Sequence, residues 1–352
     1  MHRITLKDIA LKTGLDVSTV SRVLNRDAGL RISDVKRQEV ERVAIDLGYT
    51  PHRTARGMRL RRNFIVGFAL TDTDAASPFQ ATLEFPATRA RLYGLEEKLA
   101  HSGYLLSLVR VPVDERSATD TKMFNSWGLD GLVYNWRLPT VSTLETLRKA
   151  NIRAVLIDPL APAETVDPYL NYVMPDRTLG IHNAMEYLAL EGHHSVAYIS
   201  LNTNSQRLAG YRSAVAELSL NTDARLTRLF DVPAVEIAGS IRAEGRHAAR
   251  ELIESGVAFT AVQTGSDTTA VGVVDALKEA GLRVPEDVAV MGYDDVEGYT
   301  QYLNQDPFLS TVRDPNREMG VKAAELLLDQ IENDAAPGHI VLTPELVLRR
   351  SA

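Results

Sequence analysis

The chain contains no cysteine, which removes disulfides and thiolate metal sites and fits a reducing compartment, so the cytoplasm is the expected location. Long apolar runs are missing as well. None reaches the roughly 18 residues of a membrane span, and the opening MHRITLKDIALKTG lacks the unbroken apolar stretch of a secretory signal. Neither export nor a membrane partner is expected. Catalytic signatures are absent in the same way: there is no G-x-S-x-G elbow, Walker A loop, dinucleotide fingerprint or H-E-x-x-H pair. His193 and His194 follow Gly192 and read as a capped turn at a helix end. An enzyme, a metal and a tightly held cofactor are therefore not expected.

What the chain does have is a charge asymmetry. Its 352 residues carry a formal charge of -7, yet residues 1–62 hold 14 Lys or Arg against 7 Asp or Glu, so the first segment is +7 and the rest is -14. No acidic residue occurs from Leu47 to Thr71, while Arg53, Arg56, Arg59, Arg61 and Arg62 crowd together. By itself such a run fits either a solvated basic linker or a polyanion partner. The segment before it decides between these.

Thr5-Leu6-Lys7-Asp8 has the form of a capping box, and Leu6, Ile9, Ala10 and Thr13 follow along one helical face until Gly14. Asp16 can cap a second helix whose Val20, Val23 and Leu24 point inward, leaving Val17, Ser18, Ser21, Arg22 and Asn25 on the other face. A third helix starts near Ser33, buries Val40, Val43, Ala44 and Leu47, and stops at Gly48. Three short helices with a tight turn between the first two describe a helix-turn-helix, whose second helix enters the DNA major groove. The exposed face has the chemistry that base reading needs. Arg22 can donate two hydrogen bonds to guanine, the serines can reach bases or phosphates, and Val17 can pack on a thymine methyl.

The stretch TLKDIALKTGLDVSTVSRVLN closely resembles the N-terminal reading head of the LacI family of bacterial transcriptional regulators, and GYTPHRTARGM resembles the family's third-helix exit and hinge. The resemblance implies that Val17, Ser18 and Arg22 read bases, with Thr5, Thr19, Ser21 and Asn25 on the phosphate backbone or supporting it. It implies that Arg53, Arg56 and Met58 belong to a hinge helix in the minor groove, Met58 standing where the family wedges a leucine into a base step. Asp16 departs from the usual serine and places a carboxylate near the DNA.

From Asn63 onward, apolar strands such as FIVGFAL, GLVYNW, AVLID, VAYISL and VAVMGYDD alternate with amphipathic helices, the pattern of parallel α/β architecture. LDGLVYN, LEGHHSVAYIS, RLAGYRSAV and GSDTTAVGVVDALKEAGLRVPEDVAVMGYDD resemble the family's periplasmic-binding-protein-like core. The expected fold is thus an N-terminal all-α helix-turn-helix plus hinge helix, followed by a two-lobed α/β core with parallel doubly wound sheets. The expected domains are residues 1–50, a hinge at 51–62 and a core at 63–352. By resemblance the lobes are 63–168 with 297–315 and 169–296 with 316–352, joined by crossings near 168, 296 and 316.

Ligands of open α/β sheets sit beyond the carboxyl ends of strands. Asn135, Trp136, Asp158, Arg207 and Asp294 lie at or just after such ends, and amides, carboxylates, a guanidinium and an aromatic plate bind a sugar's hydroxyls and ring face. The resemblance places Asn135, Asp158, Arg207 and Asp294 on effector-contacting positions of sugar-responsive members. Asp158 could instead shape a turn before Pro159, Trp136 could be core, and Asp267 reads either as a helix N-cap or as an effector contact. The segment Thr71 to Arg91 departs from the family pattern; Phe79 or Phe85 is the candidate aromatic roof. The implied effector is a sugar or sugar derivative, with nucleobases and other metabolites as alternatives.

The implied partners are double-stranded, pseudo-palindromic operator DNA and a second copy of the chain, since two reading heads address two half-sites. The sequence ends soon after IVLTPELVLRR without a heptad tail, so a homodimer is expected. A solute-binding transport protein shares the two-lobed core but has no use for a helix-turn-helix. Repressor and activator are not separable at this level.

Overall fold

The computed structural model describes residues 4–24, 29–49, 57, 60, 62–71, 85–111, 121–136, 138–159, 170–202, 205–232, 237–299 and 306–352. The chain divides into two compact units, residues 1–64 and 65–352.

The first unit contains α1 (Leu6–Thr13), α2 (Val17–Leu24) and α3 (Asp34–Asp46). The Thr5 backbone N–H and hydroxyl both donate to Asp8 Oδ2 at 2.8 Å, which anchors the start of α1. Gly14 ends it with φ 64°, a left-handed turn that glycine adopts without a Cβ clash. Ser33 caps α3 by accepting from the Lys36 N–H. Ile9, Ala10, Val20, Val23, Val40 and Ala44 form the buried core, with Leu6, Leu24, Val43 and Leu47 packed around it.

The second unit holds two six-stranded sheets. Their strands, in chain order, are β1 (Ile65–Thr71), β2 (Leu105–Val111), β3 (Gly131–Asn135), β4 (Arg153–Ile157), β5 (Asn171–Pro175), β6 (Val196–Leu201), β7 (Thr227–Phe230), β8 (Ala261–Thr264), β9 (Ala289–Tyr293), β10 (Ser310–Arg313), β11 (His339–Leu342) and β12 (Glu345–Val347). The first sheet runs β11-β5-β4-β3-β1-β2 with parallel neighbours throughout. The second runs β12-β10-β9-β8-β6-β7, parallel except for the antiparallel β10/β12 pair. Central strands β3, β5 and β9 are buried at every position, as strands covered on both faces must be.

The helices of this unit are α4 (Pro86–His101), α5 (Thr121–Ser126), α6 (Val141–Lys149), α7 (Arg177–Leu190), α8 (Ser205–Glu217), α9 (Ile237–Glu254), α10 (Asp267–Glu279), α11 (Val296–Tyr299) and α12 (Asn316–Asn333). Helices α4 and α12 cross almost backbone to backbone. A Cβ on Gly94 would stand 2.0 Å from the Arg317 carbonyl oxygen, and one on Gly320 2.0 Å from that of Arg91. Only glycine fits at this crossing, and the close approach brings Arg91 against Asn316.

The lobe boundaries differ from those expected by resemblance. Strand β5 still pairs in the first sheet, so the first passage lies between Pro175 and Arg177 rather than near 168, a position outside the described residues. Strand β10 pairs with β9 and β12 in the second sheet, whereas α12 packs on α4, β4 and β5 of the first. Residues 306–313 therefore belong to the second lobe and α12 to the first, the reverse of the expectation, with the second passage at Arg313–Asn316. The third lies between β11 and β12, at Leu342–Glu345. Both short strands were hidden in one apolar stretch, and only pairing separates them.

Candidate functional site

In the reading head, α2 turns Val20 and Val23 into the core, which leaves Val17 and Ser18 exposed and Thr19, Ser21 and Arg22 half-buried. Asp16 organises its first turn. Oδ1 accepts from the Thr19 N–H at 2.9 Å and from the Ser18 hydroxyl at 2.5 Å, and Oδ2 accepts from the Thr19 hydroxyl at 2.6 Å. The Ser18 and Thr19 hydroxyls hold this carboxyl well below the usual carboxylate range. Their protons are thus committed within the protein, and their oxygens remain as acceptors, a detail the sequence did not reveal. Of the other expected DNA-contacting residues, Thr5 is exposed at the start of α1; Asn25, Arg53, Arg56 and Met58 lie outside the described residues.

In the core, Asn135 ends β3, Trp136 follows it, Asp158 follows β4 and Asp294 follows β9. Trp136, Asp158, Asp294 and Asp295 have φ of 64°, 55°, 109° and 53°, left-handed values that non-glycine residues adopt only under surrounding constraint. Each strand thus turns sharply at its carboxyl end. Arg207, in the first turn of α8, donates Nη2 to Asp294 Oδ1 at 2.8 Å and Nη1 to the Gly265 carbonyl, its Cζ lying 3.8 Å from the Tyr293 ring centroid. Asp294 keeps 36% of its side-chain surface exposed. The surrounding protein nonetheless pushes its carboxyl up, with Arg207 opposing the shift.

Asp158 and Asn135 meet protein partners in the first lobe. Arg91, 1% exposed, reaches in from α4 and donates Nη1 to Asn135 Oδ1 at 2.9 Å, Nη2 to Asp158 Oδ2 at 2.5 Å and Nε to Asn316 Oδ1 at 2.7 Å. Trp136 Nε1 donates to Asp158 Oδ2 at 3.0 Å, and Arg177 Nη2 lies 2.7 Å from the same carboxylate. Burial pushes the Asp158 carboxyl up, but Arg177 and Arg91 together hold it well below the usual range. In this arrangement Asp158 is engaged by the Arg91 and Arg177 guanidiniums and Asn135 by Arg91.

For Asp267 the N-cap reading is corrected. The N-cap of α10 is Ser266, which accepts from the Thr269 N–H, while Asp267 accepts from the Val296 N–H and the Thr311 hydroxyl, each at 2.6 Å. Burial, with Asp294 and Asp295 nearby, pushes its carboxyl well up. Its two oxygens thereby tie α11 and β10 of the second lobe to the start of α10. Trp136 meets Phe85 edge-on at 5.3 Å between centroids, so Phe85 supplies the aromatic neighbour; Phe79 is outside the described residues.

Sequence reasoning missed Arg91, Arg177 and Asp314. Arg177 and Asp314 each follow a strand, β5 and β10, and weighting strand ends would have found them had those short strands been recognised. Arg91 shares a buried helix face with Thr88, Leu95 and Leu99, a position that reads as apolar core until its partners are seen.

Comparison with known proteins agrees with this geometry. The family model for bacterial regulatory proteins of the lacI family matches residues 5–52, and that for a periplasmic binding protein-like domain matches residues 185–352. The ribose operon repressor of Haemophilus influenzae is 30% identical over 358 residues, covering 99% of this chain and 98% of that protein. The HTH-type transcriptional repressor PurR of Salmonella paratyphi B is 29% identical, covering 99% and 96%. Among solved structures, a transcriptional regulator CelR-cellobiose complex superposes with TM-score 0.66 at 26% identity, covering 99% of this chain and 100% of that one. A reading head of three helices, a two-lobed parallel α/β core and near full-length relatives that are regulators leave one conclusion: the chain belongs to the LacI family of bacterial transcriptional regulators.

Proposed function

We propose that this protein is a repressor that binds double-stranded, pseudo-palindromic operator DNA as a homodimer in the cytoplasm, without catalysis. Residues 1–50 form the reading head, 51–62 the hinge and 63–352 a core whose cleft holds a small-molecule effector, a sugar or sugar derivative. The observation that carries the reading is the two-sided α2: Val20 and Val23 fully buried, Val17 and Ser18 exposed, and Arg22 on the same outward side. In this reading Val17, Ser18 and Arg22 face base edges; Thr5, Thr19, Ser21 and Asn25 support or touch the backbone; and Arg53, Arg56 and Met58 enter the minor groove. The effector reading is supported by Asp294 just after β9 with Arg207 donating to it, and by relatives named for ribose and cellobiose.

Selection from randomised duplexes supplies the operator, and variants of that operator test the assignment. Arg22→Ala is expected to lose about 1 to 3 kcal/mol of binding and to relax preference at one base pair of each half-site. Unchanged affinity and preference would remove Arg22 from the reading surface.

A further inference from the structure

Three guanidiniums and three carboxylates form a continuous chain through the core, from the first lobe to the second. Arg91 meets Asp158, which Arg177 also approaches at 2.7 Å. Arg177 Nη2 lies 3.3 Å from Asp314 Oδ2, and Asp314 Oδ1 accepts the Tyr293 hydroxyl proton at 2.7 Å. Tyr293 carries the Arg207 guanidinium on its ring face, and Arg207 donates to Asp294. The neighbouring acids have their own partners: Asp267 is held by Val296 and Thr311, with Asp294 nearby, and Asp295 pairs with Arg313 and Arg349. The six charges cancel.

Such matching restricts what the cleft accepts. A buried charge is tolerated only when it is paired, so an anionic ligand needs a cation not already answered by a carboxylate. None of these three guanidiniums offers that, and a phosphate would add about -1.5 to -2 charge beside Asp294. Hydroxyl groups meet no such obstacle. They can donate to Asp294, whose side chain keeps part of its surface exposed.

We propose that the cleft selects a neutral, hydroxyl-rich ligand over its phosphorylated or carboxylate counterpart, and that Asp314, by matching Arg177, sets this selectivity. The inference rests on the reading of the cleft as the effector site. Asp314→Asn keeps the side chain's size and its acceptor for Tyr293 while leaving Arg177 with half its partners.

The test uses full-length protein and inorganic sulfate against chloride at matched ionic strength, with melting of the core as the readout. Wild type, Asp314→Asn, Arg177→Gln and the exposed-site control Asp306→Asn are compared. The reading head and arginine-rich segment are common to all four, so anion binding there cancels. The expected result is an apparent sulfate affinity about tenfold or more tighter in Asp314→Asn than in wild type, with Asp306→Asn and Arg177→Gln matching wild type. Equal sulfate responses in Asp314→Asn and wild type would overturn the proposal. So would a wild-type response that Arg177→Gln abolishes, which decides the matter even if Asp314→Asn fails to fold. A sugar phosphate that binds wild type more tightly than its neutral parent would overturn it too. Failure of the sugar reading shows separately, as no response of wild type to a panel of neutral pentoses, hexoses and disaccharides, while the sulfate comparison decides the charge matching by itself.

Discussion

Replacing Arg91 with methionine removes the side chain on which the first lobe's polar interior converges. The guanidinium makes three hydrogen bonds, to Asn135, Asp158 and Asn316, at 2.5 to 2.9 Å, inside a site where both Arg91 and Asp158 are 1% exposed. Methionine matches the stem but leaves Asp158 dependent on Arg177 and Trp136, and leaves the Asn135 and Asn316 carbonyls without this donor. Breaking a buried ion pair by removing one partner costs about 3 to 5 kcal/mol, and each orphaned neutral acceptor costs about 1 to 3 kcal/mol. Relaxation and water entry make these overlap, so the expected loss is about 3 to 5 kcal/mol in total. The exposed pair Arg350–Asp306, 61% and 77% exposed at its side chains, is the control; Arg350→Met should cost no more than about 1 kcal/mol.

Urea unfolding of the core at pH 7 reads both variants. Acid provides a second arm with a defined sign. Because the folded-state pKa of Asp158 is depressed, its stabilisation is fully present above the unfolded carboxylate value of about 3.9 and is lost as pH falls below that value toward the folded one. The difference between wild type and Arg91→Met should therefore shrink on acidification below about pH 4. A loss under about 1 kcal/mol at pH 7, or a difference that does not change down to pH 3, would refute the reasoning and show the network to be screened by solvent.

Asp294→Ala should weaken binding of the sugar effector by about 1.5 to 3 kcal/mol, the range for hydrogen bonds to a charged group, while operator affinity without sugar stays near wild type. Calorimetry and operator titration read the two halves, and wild-type sugar affinity would refute the contact. Gly94→Ala forces a methyl group against the Arg317 carbonyl of the crossing helix and should destabilise the core by about 1 to 3 kcal/mol or more. A melting temperature equal to wild type would show that α4 and α12 separate without penalty.

The reading head was legible in the sequence because its determinants are local. Capping at Thr5 and Asp8, the left-handed Gly14 and the spacing of Ile9, Val20, Val23, Val40 and Ala44 are all set within a few residues, and the structure repeats them. The alternation of apolar strands and helices likewise announced a parallel α/β core, and strand ends pointed to Asn135, Asp158, Arg207 and Asp294. What those side chains do was decided elsewhere. Arg91 and Asn316 are 225 residues apart, Arg207 and Asp294 are 87 apart, and Arg177 and Asp314 are 137 apart. Nothing in local periodicity pairs them, so the sequence could nominate Asp158 as a ligand contact but not show that Arg91 and Arg177 already hold it. The lobe boundaries failed for the same reason: hydrogen-bond partners in the sheets, not the residues of β5, β10, β11 and β12 themselves, assign each to its lobe. Local sequence set the elements and their caps, whereas charge pairing and strand order, which depend on distant segments meeting in a dry interior, came only from the tertiary structure.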